Sequence, residues 1–183
     1  MAEVTAVDQS IYAAVAATDT PRLDAVFRRL SRTADKSVLW FGVAGALAIV
    51  GGSTGRRAAV NGVASIALAS AVANLVGKQV TNRRRPDREG AGVPDERHVP
   101  MPTSTSFPSG HSASAFAFAE GVGAAAPALG APVRLAAVAV SYSRVHTGVH
   151  YPGDVVAGTL IGVTAGEVAV RLLNVARRRW PIP

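Results

Sequence analysis

Long apolar blocks alternate along the chain with short polar clusters. No residue from Ser37 to Gly55 is charged, and none from Ala58 to Gly77. At a rise of about 1.5 Å per residue, each block is about one bilayer crossing long. Three more apolar blocks, about 110–130, about 131–148 and about 153–175, carry only Glu120, Arg134, Arg144, Asp154, Glu167 and Arg171 as charged residues. The pattern predicts an all-α, multi-pass transmembrane helix bundle of about five spans. Stretches such as GVASIALASAVANLVG and GVGAAAPALGA are mostly Gly, Ala and Ser, and small residues let helices pack backbone to backbone. A charge inside a span must face the bundle interior or a wet cavity. For Glu120 and Glu167 the simplest expectation is a hydrogen bond between helices, with catalysis as the alternative.

Ahead of the first block, TPRLDAVFRRLSR places Thr20 as an N-cap and Pro21 at the first helical position. Leu23, Val26, Phe27 and Leu30 then repeat at helical spacing against Asp24, Arg28, Arg29 and Arg32. This predicts a helix lying on a membrane surface. The apolar run Ile11 to Ala17 is too short to span alone, so residues 1–36 read as an interfacial amphipathic pair, with a more polar sixth crossing as the alternative. Residues 37–175 then form the helical bundle and 176–183 a basic tail, within one membrane-embedded domain. The start of the chain lacks a strong basic n-region and apolar core, so no cleaved targeting sequence is expected. Between the second and third blocks, RRRPDREGAGVPDERHVPMPTSTSFPSG is rich in Pro, Gly, Ser and charge. It reads as a loop at the membrane surface, because irregular backbone cannot face lipid.

Composition narrows the chemistry. A formal net charge of +7 would suit nucleic acid, but the basic residues sit at span ends and not on one soluble face, so anionic lipid headgroups are the expected partner and nucleic acid is not. With no cysteine there is no disulfide framework, no thiolate metal site and no cysteine nucleophile.

Polar chemistry gathers in three places. Lys78 and Arg85 lie in KQVTNRRRP at the end of the second block. Pro108 to His111 open the third as PSGH, and RVHTGVHYPGD, Arg144 to Asp154, joins the fourth to the fifth. With spans alternating in direction, all three meet at one membrane face. Lys78, Arg85 and Arg144 bring three fixed cations there, and guanidinium forks suit tetrahedral oxyanions. Ser109 is a good N-cap, Gly110 allows close backbone approach, and a helix start attracts an anion. An ordinary capped helix would look the same, so PSGH by itself decides little. His146 and His150, four apart, could be a helical metal pair, but the neighbouring cations would repel an ion. His150 has Asp154 four residues on across a helix start marked by Pro152. The acid can hold one ring nitrogen and free the other to attack. His111 is placed to protonate a leaving oxygen. His146 is expected only to pack or to hydrogen-bond locally. No metal and no cofactor are expected.

These residues resemble the type 2 phosphatidic acid phosphatase family, whose signature K-x6-RP, PSGH, SR-x5-H-x3-D is filled at Lys78, Arg85-Pro86, Pro108-Ser109-Gly110-His111, Ser143-Arg144, His150 and Asp154. The resemblance implies an integral membrane lipid phosphatase. His150 would form a phosphohistidine, Asp154 would orient it and His111 would protonate the leaving group. Lys78, Arg85, Arg144 and the backbone amides at Ser109 and Gly110 would clamp the phosphoryl oxygens. Phosphatidic acid, phosphatidylglycerophosphate, a polyprenyl diphosphate and a polyprenyl-linked sugar phosphate all satisfy a motif that touches only the phosphate. The loop Asp87 to Phe107 and the N-terminal helices would line the remainder of the pocket. The implied location is a bacterial-type cytoplasmic membrane with the site on the extracytoplasmic face, although Lys and Arg fall on both faces. A vanadate-dependent haloperoxidase with a similar phosphate pocket, and a non-catalytic lipid-binding or transport protein on the same fold, are the alternatives.

Overall fold

A computed structural model of the chain describes residues 2–77, 79 and 81–180. Among them are helices and no strand: α1 (Ala2–Ala17), α2 (Pro21–Thr33), α3 (Val38–Val50), α4 (Gly52–Val72), α5 (Gly110–Ala125), α6 (Pro127–His146) and α7 (Pro152–Arg179). A π-helical turn, Ala73–Gly77, prolongs α4, and short 3₁₀ turns lie at Asp35–Ser37 and Asp95–Arg97.

Each of the five apolar blocks holds a helix, but their lengths differ. Gly52–Leu75 and Pro152–Arg179 are long and apolar enough to cross a membrane. The pair Pro21–Thr33 and Asp35–Val50, bent by 61°, adds a third if it is one broken span. The charge-free stretch 37–55 does not form one helix, because the chain turns at Gly51 and Gly52, where Gly52 takes φ 59°. That leaves α3 with 13 residues, about 20 Å at about 1.5 Å per residue.

The centre of the bundle is α5, packed by α4, α6 and α7. Its Ala113, Ala115, Ala117, Phe118, Ala119 and Val122 are fully buried. Small residues on α7 make the close approach possible. A Cβ at Gly158 would stand 2.3 Å from the Ser109 carbonyl oxygen, and one at Gly162 2.4 Å from that of Ala113. Trp40 of α3 packs at 5.3 Å on Phe118 and closes the other side of the core.

The two N-terminal helices join the bundle through polar contacts. On α2 the buried residues are Asp24 and Ser31, with Phe27 and Leu30 half-buried beside them, while Leu23 and Val26 are exposed, as are Arg29 and Arg32. Two charged or polar groups explain this: Asp24 meets Arg97 and His146, and Ser31 meets Arg144. Thr20 stands at the N-cap, but its hydroxyl donates to Asp24 Oδ1 at 2.9 Å instead of capping the backbone. Arg97 also donates to the carbonyls of Val15 and Ala16 at the end of α1. Glu120 bridges α5 to α6 through Arg134 at 2.8 Å. Glu167 differs from expectation: it pairs with Arg171 on its own helix at 3.5 Å, both largely exposed. The last helix runs on to Arg179.

Candidate active site

The turn between α6 and α7 sets the site. Helix α6 ends at His146, and Gly148, at φ 72°, reverses the chain. A side chain there would meet Arg88 at 2.6 Å as well as adopt a left-handed backbone. The amides of Val149 and His150 both donate to the Arg144 carbonyl at 3.1 Å, folding the turn onto the end of α6. His146 and His150 therefore do not share a helical face. His146 Nε2 lies 2.9 Å from Asp24 Oδ1 on α2, a long-range tie and not a local one. Among the described residues no group of three or more His, Cys, Asp or Glu is arranged to hold a metal ion.

Pro152 starts α7, and Asp154 Oδ2 accepts from the Tyr151 amide at 2.9 Å, which caps the helix and fixes the carboxylate. His150 is 3% exposed and Asp154 fully buried. Their nearest atoms, Nδ1 and Oδ2, stand 3.5 Å apart, beyond a good hydrogen bond but close enough for the charge to be felt. On the other side of the ring, Arg85 Nη1 lies 3.2 Å from Nε2. Arginine only donates, so Nε2 is the acceptor and the ring proton belongs on Nδ1, toward Asp154. His150 lies in the turn between two helices, and burial first, then Arg85 and Arg144, push its pKa down to about 4 against the pull of Asp154.

The other predicted residues gather around this pair. Besides His150, Arg85 donates to the carbonyls of Val149 at 2.8 Å, Ser104 at 2.9 Å and Thr105 at 3.2 Å. It thereby pins the 104–105 segment beside the His150 turn. Arg144 is buried, donates to Ser31 Oγ, and keeps its Nε without a hydrogen-bond partner. His111 sits in the first turn of α5 with Nε2 2.9 Å from Asp35 Oδ1, and the positive charges of Arg144 and Arg85 act on it. Ser109 caps α5 by accepting weakly from the Ser112 amide at 3.4 Å. The expected free amide at Ser109 is not free: it donates to the Asp154 carbonyl at 2.9 Å and ties the starts of α5 and α7 together. Gly110 has open space where a Cβ would stand. The prediction for Lys78 lies outside the described residues.

Two openings flank the cluster. One, of about 180 Å³, is lined by Gly110 and His111 with Lys36 and Ser37 from the α2–α3 link. The other, of about 430 Å³, is lined by Arg83, Arg84 and Arg85 with Met101 to Thr105. The polar loop and the N-terminal region thus both reach the site.

Four groups in the site were not singled out from the sequence. Arg83 Nη1 donates to Asp154 Oδ1 at 2.9 Å, Ser106 Oγ donates to Asp154 Oδ2, Asp8 pairs with Arg83, and Asp35 holds His111. Arg83 was hidden in a run of three arginines and Ser106 in a Ser/Thr-rich loop. The two acids had no sequence neighbour to mark them.

Known proteins resemble this chain in sequence and in fold. The chain is 34% identical over 153 residues to decaprenylphosphoryl-5-phosphoribose phosphatase of Mycobacterium tuberculosis, covering 82% of this chain and 80% of that one. Its fold matches Aquifex aeolicus LpxE with a TM-score of 0.69 at 25% identity, over 89% of this chain and 94% of the other. It also matches a transmembrane PAP2 type phosphatidylglycerolphosphate phosphatase from Bacillus subtilis with a TM-score of 0.71 at 20% identity, over 95% and 88%. Residues 58–178, which contain the whole cluster from Arg83 to Asp154 and nearly all of the four helices around it, match the PAP2 superfamily, and the chain belongs to that superfamily.

Proposed function

We propose that the protein hydrolyses the phosphate ester of a membrane lipid through a phosphohistidine on His150. The observation that carries this reading is the state of the His150 ring: Nε2 accepts from Arg85 while Nδ1 faces Asp154. An unprotonated nitrogen in a fixed ring is what a nucleophile at phosphorus requires. In the first step Nε2 forms a bond to phosphorus, the bond from phosphorus to the lipid oxygen breaks, and His111 gives that oxygen a proton. Water then attacks phosphorus and gives its proton to His111, the P–N bond breaks with its electrons returning to His150 Nε2, and inorganic phosphate leaves.

Arg85 and Arg144, with Gly110 at the helix start and Lys78, bear the charge of the transferring group. Phosphoryl transfer depends mainly on such positioning and charge stabilisation. The buried Nε of Arg144 is a donor that a phosphate oxygen would satisfy. Arg85 must shift from Nε2 as phosphorus arrives, so it follows the phosphate inward. Ser109 serves by holding the helix starts together.

A lipid substrate is supported by an apolar groove of about 310 Å³ lined by Ile11, Phe116, Tyr142, Val145, Pro152 and Val155, the last three flanking the His150 turn in sequence. Likeness to decaprenylphosphoryl-5-phosphoribose phosphatase favours a polyprenyl-linked sugar phosphate among the candidate lipids. The chain works as one domain, multi-pass in a bacterial-type cytoplasmic membrane, with the site on the extracytoplasmic face.

The test is phosphate release by purified protein in detergent, with EDTA and no added metal, from phosphatidic acid, phosphatidylglycerophosphate, a polyprenyl diphosphate and a polyprenyl-linked sugar phosphate. The last is expected to turn over fastest, and His150→Ala is expected to release none while staying folded and membrane-bound. Wild-type turnover by His150→Ala would remove the nucleophile assignment.

A further inference from the structure

Helix α1 lies outside the matched family segment, yet it reaches the catalytic carboxylate. Asp8, only 6% exposed, pairs with Arg83 through Oδ2 and accepts from the Gly153 amide through Oδ1 at 2.6 Å. Arg83 uses its other terminal nitrogen on Asp154 Oδ1 at 2.9 Å and lies over the Tyr151 ring, 4.3 Å from its centre. Tyr12, one turn after Asp8, packs edge-on against the same ring at 5.4 Å.

The consequence follows from the fork geometry of arginine. A guanidinium offered one carboxylate binds it through two parallel N–H groups. Here the fork is divided between two carboxylates. Asp154 therefore gives Arg83 only Oδ1 and keeps Oδ2 for Ser106, the Tyr151 amide and His150. Without the charge on Asp8, Arg83 would turn both nitrogens to Asp154, draw Oδ2 away from the histidine side, and leave the Gly153 amide unpaired in the first turn of α7.

We propose that Asp8 is a positioning residue for the reaction, acting through Arg83 and the start of α7 to aim Asp154 at His150. This rests on the phosphohistidine reading above. Asp8 touches no residue assigned to the phosphate clamp, so its loss slows the chemical step without weakening substrate binding.

The experiment compares wild type, Asp8→Asn, Arg83→Gln and the double variant in detergent, with the best lipid phosphate from the panel. Asp8→Asn is expected to lower kcat on the order of 10- to 100-fold, the scale of a misplaced orienting group, with KM within about twofold. Because the effect runs through Arg83, the double variant should be no slower than Arg83→Gln alone. Unchanged kcat in Asp8→Asn, a loss confined to KM, or fully multiplicative losses would each overturn the proposal. If Asp8→Asn does not give a monodisperse protein, Arg83→Gln decides: a fall in kcat at constant KM supports the relay, and wild-type kcat overturns it. Failure of wild type to release phosphate from any lipid would instead count against the phosphatase reading.

Discussion

His150 shows how one ring is prepared by its surroundings. Burial favours its neutral form, and Arg85 on Nε2 and Asp154 beside Nδ1 select the tautomer. Its pKa is about 4 in the folded protein, below the ordinary value near 6.5. Between those values the unfolded chain holds a proton that the folded one does not, so His150 costs stability as pH falls through that window and none above it. Imidazole ¹⁵N NMR of the protein in micelles should place its titration near pH 4; a midpoint near 6.5 would contradict the buried, neutral ring. Arg144, His150 and Asp154 were legible from spacing because each lies at a helix end or in the turn beside one, and Arg85 from its place in the basic run after the second apolar block. Arg83, Ser106 and Asp8 were not, since their partners lie far away in the chain.

At the scale of the element, α5 and α7 position His111 and Asp154 by approaching closer than side chains usually allow. A Cβ at Gly162 would lie 2.4 Å from a backbone oxygen of α5 that cannot move aside. Gly162→Val should therefore force the helices apart, with a loss of about 1–3 kcal/mol typical of overpacking. Thermal unfolding in detergent should show this as a fall of about 3–10 °C in Tm, and an unchanged Tm would mean that the contact yields. Helix α2 teaches a different point. Its 3.6-residue period was clear in the sequence, but period tells only that two faces differ. With Asp24 and Ser31 needed by Arg97, His146 and Arg144, these two turn inward beside Phe27 and Leu30, while Leu23 and Val26 stay exposed, as do Arg29 and Arg32.

Over the whole molecule, the polar loop and both N-terminal helices sit at the end of the bundle that carries the site. Arg97 binds Asp24 and the end of α1, and Asp8 binds the start of α7, so this end forms one polar assembly. Its side of the membrane is testable because the chain has no cysteine. Asp95→Cys, at a position whose side chain is 94% exposed, should react with a membrane-impermeant maleimide in intact cells. Labelling only after the cells are opened would place the site on the cytoplasmic face.

The sequence by itself determined the all-helical bundle and pointed to Arg85, Arg144, His150 and Asp154 as neighbours at one end of it, because apolar block length and the alternation of helices along the chain carry both. Tertiary structure decided how those groups share partners: that Ser109 gives its amide to Asp154, that Asp35 holds His111, and that Arg83 divides itself between Asp8 and Asp154. Such choices are competitions among groups far apart in the chain, and only packing sets which of them come within hydrogen-bond reach.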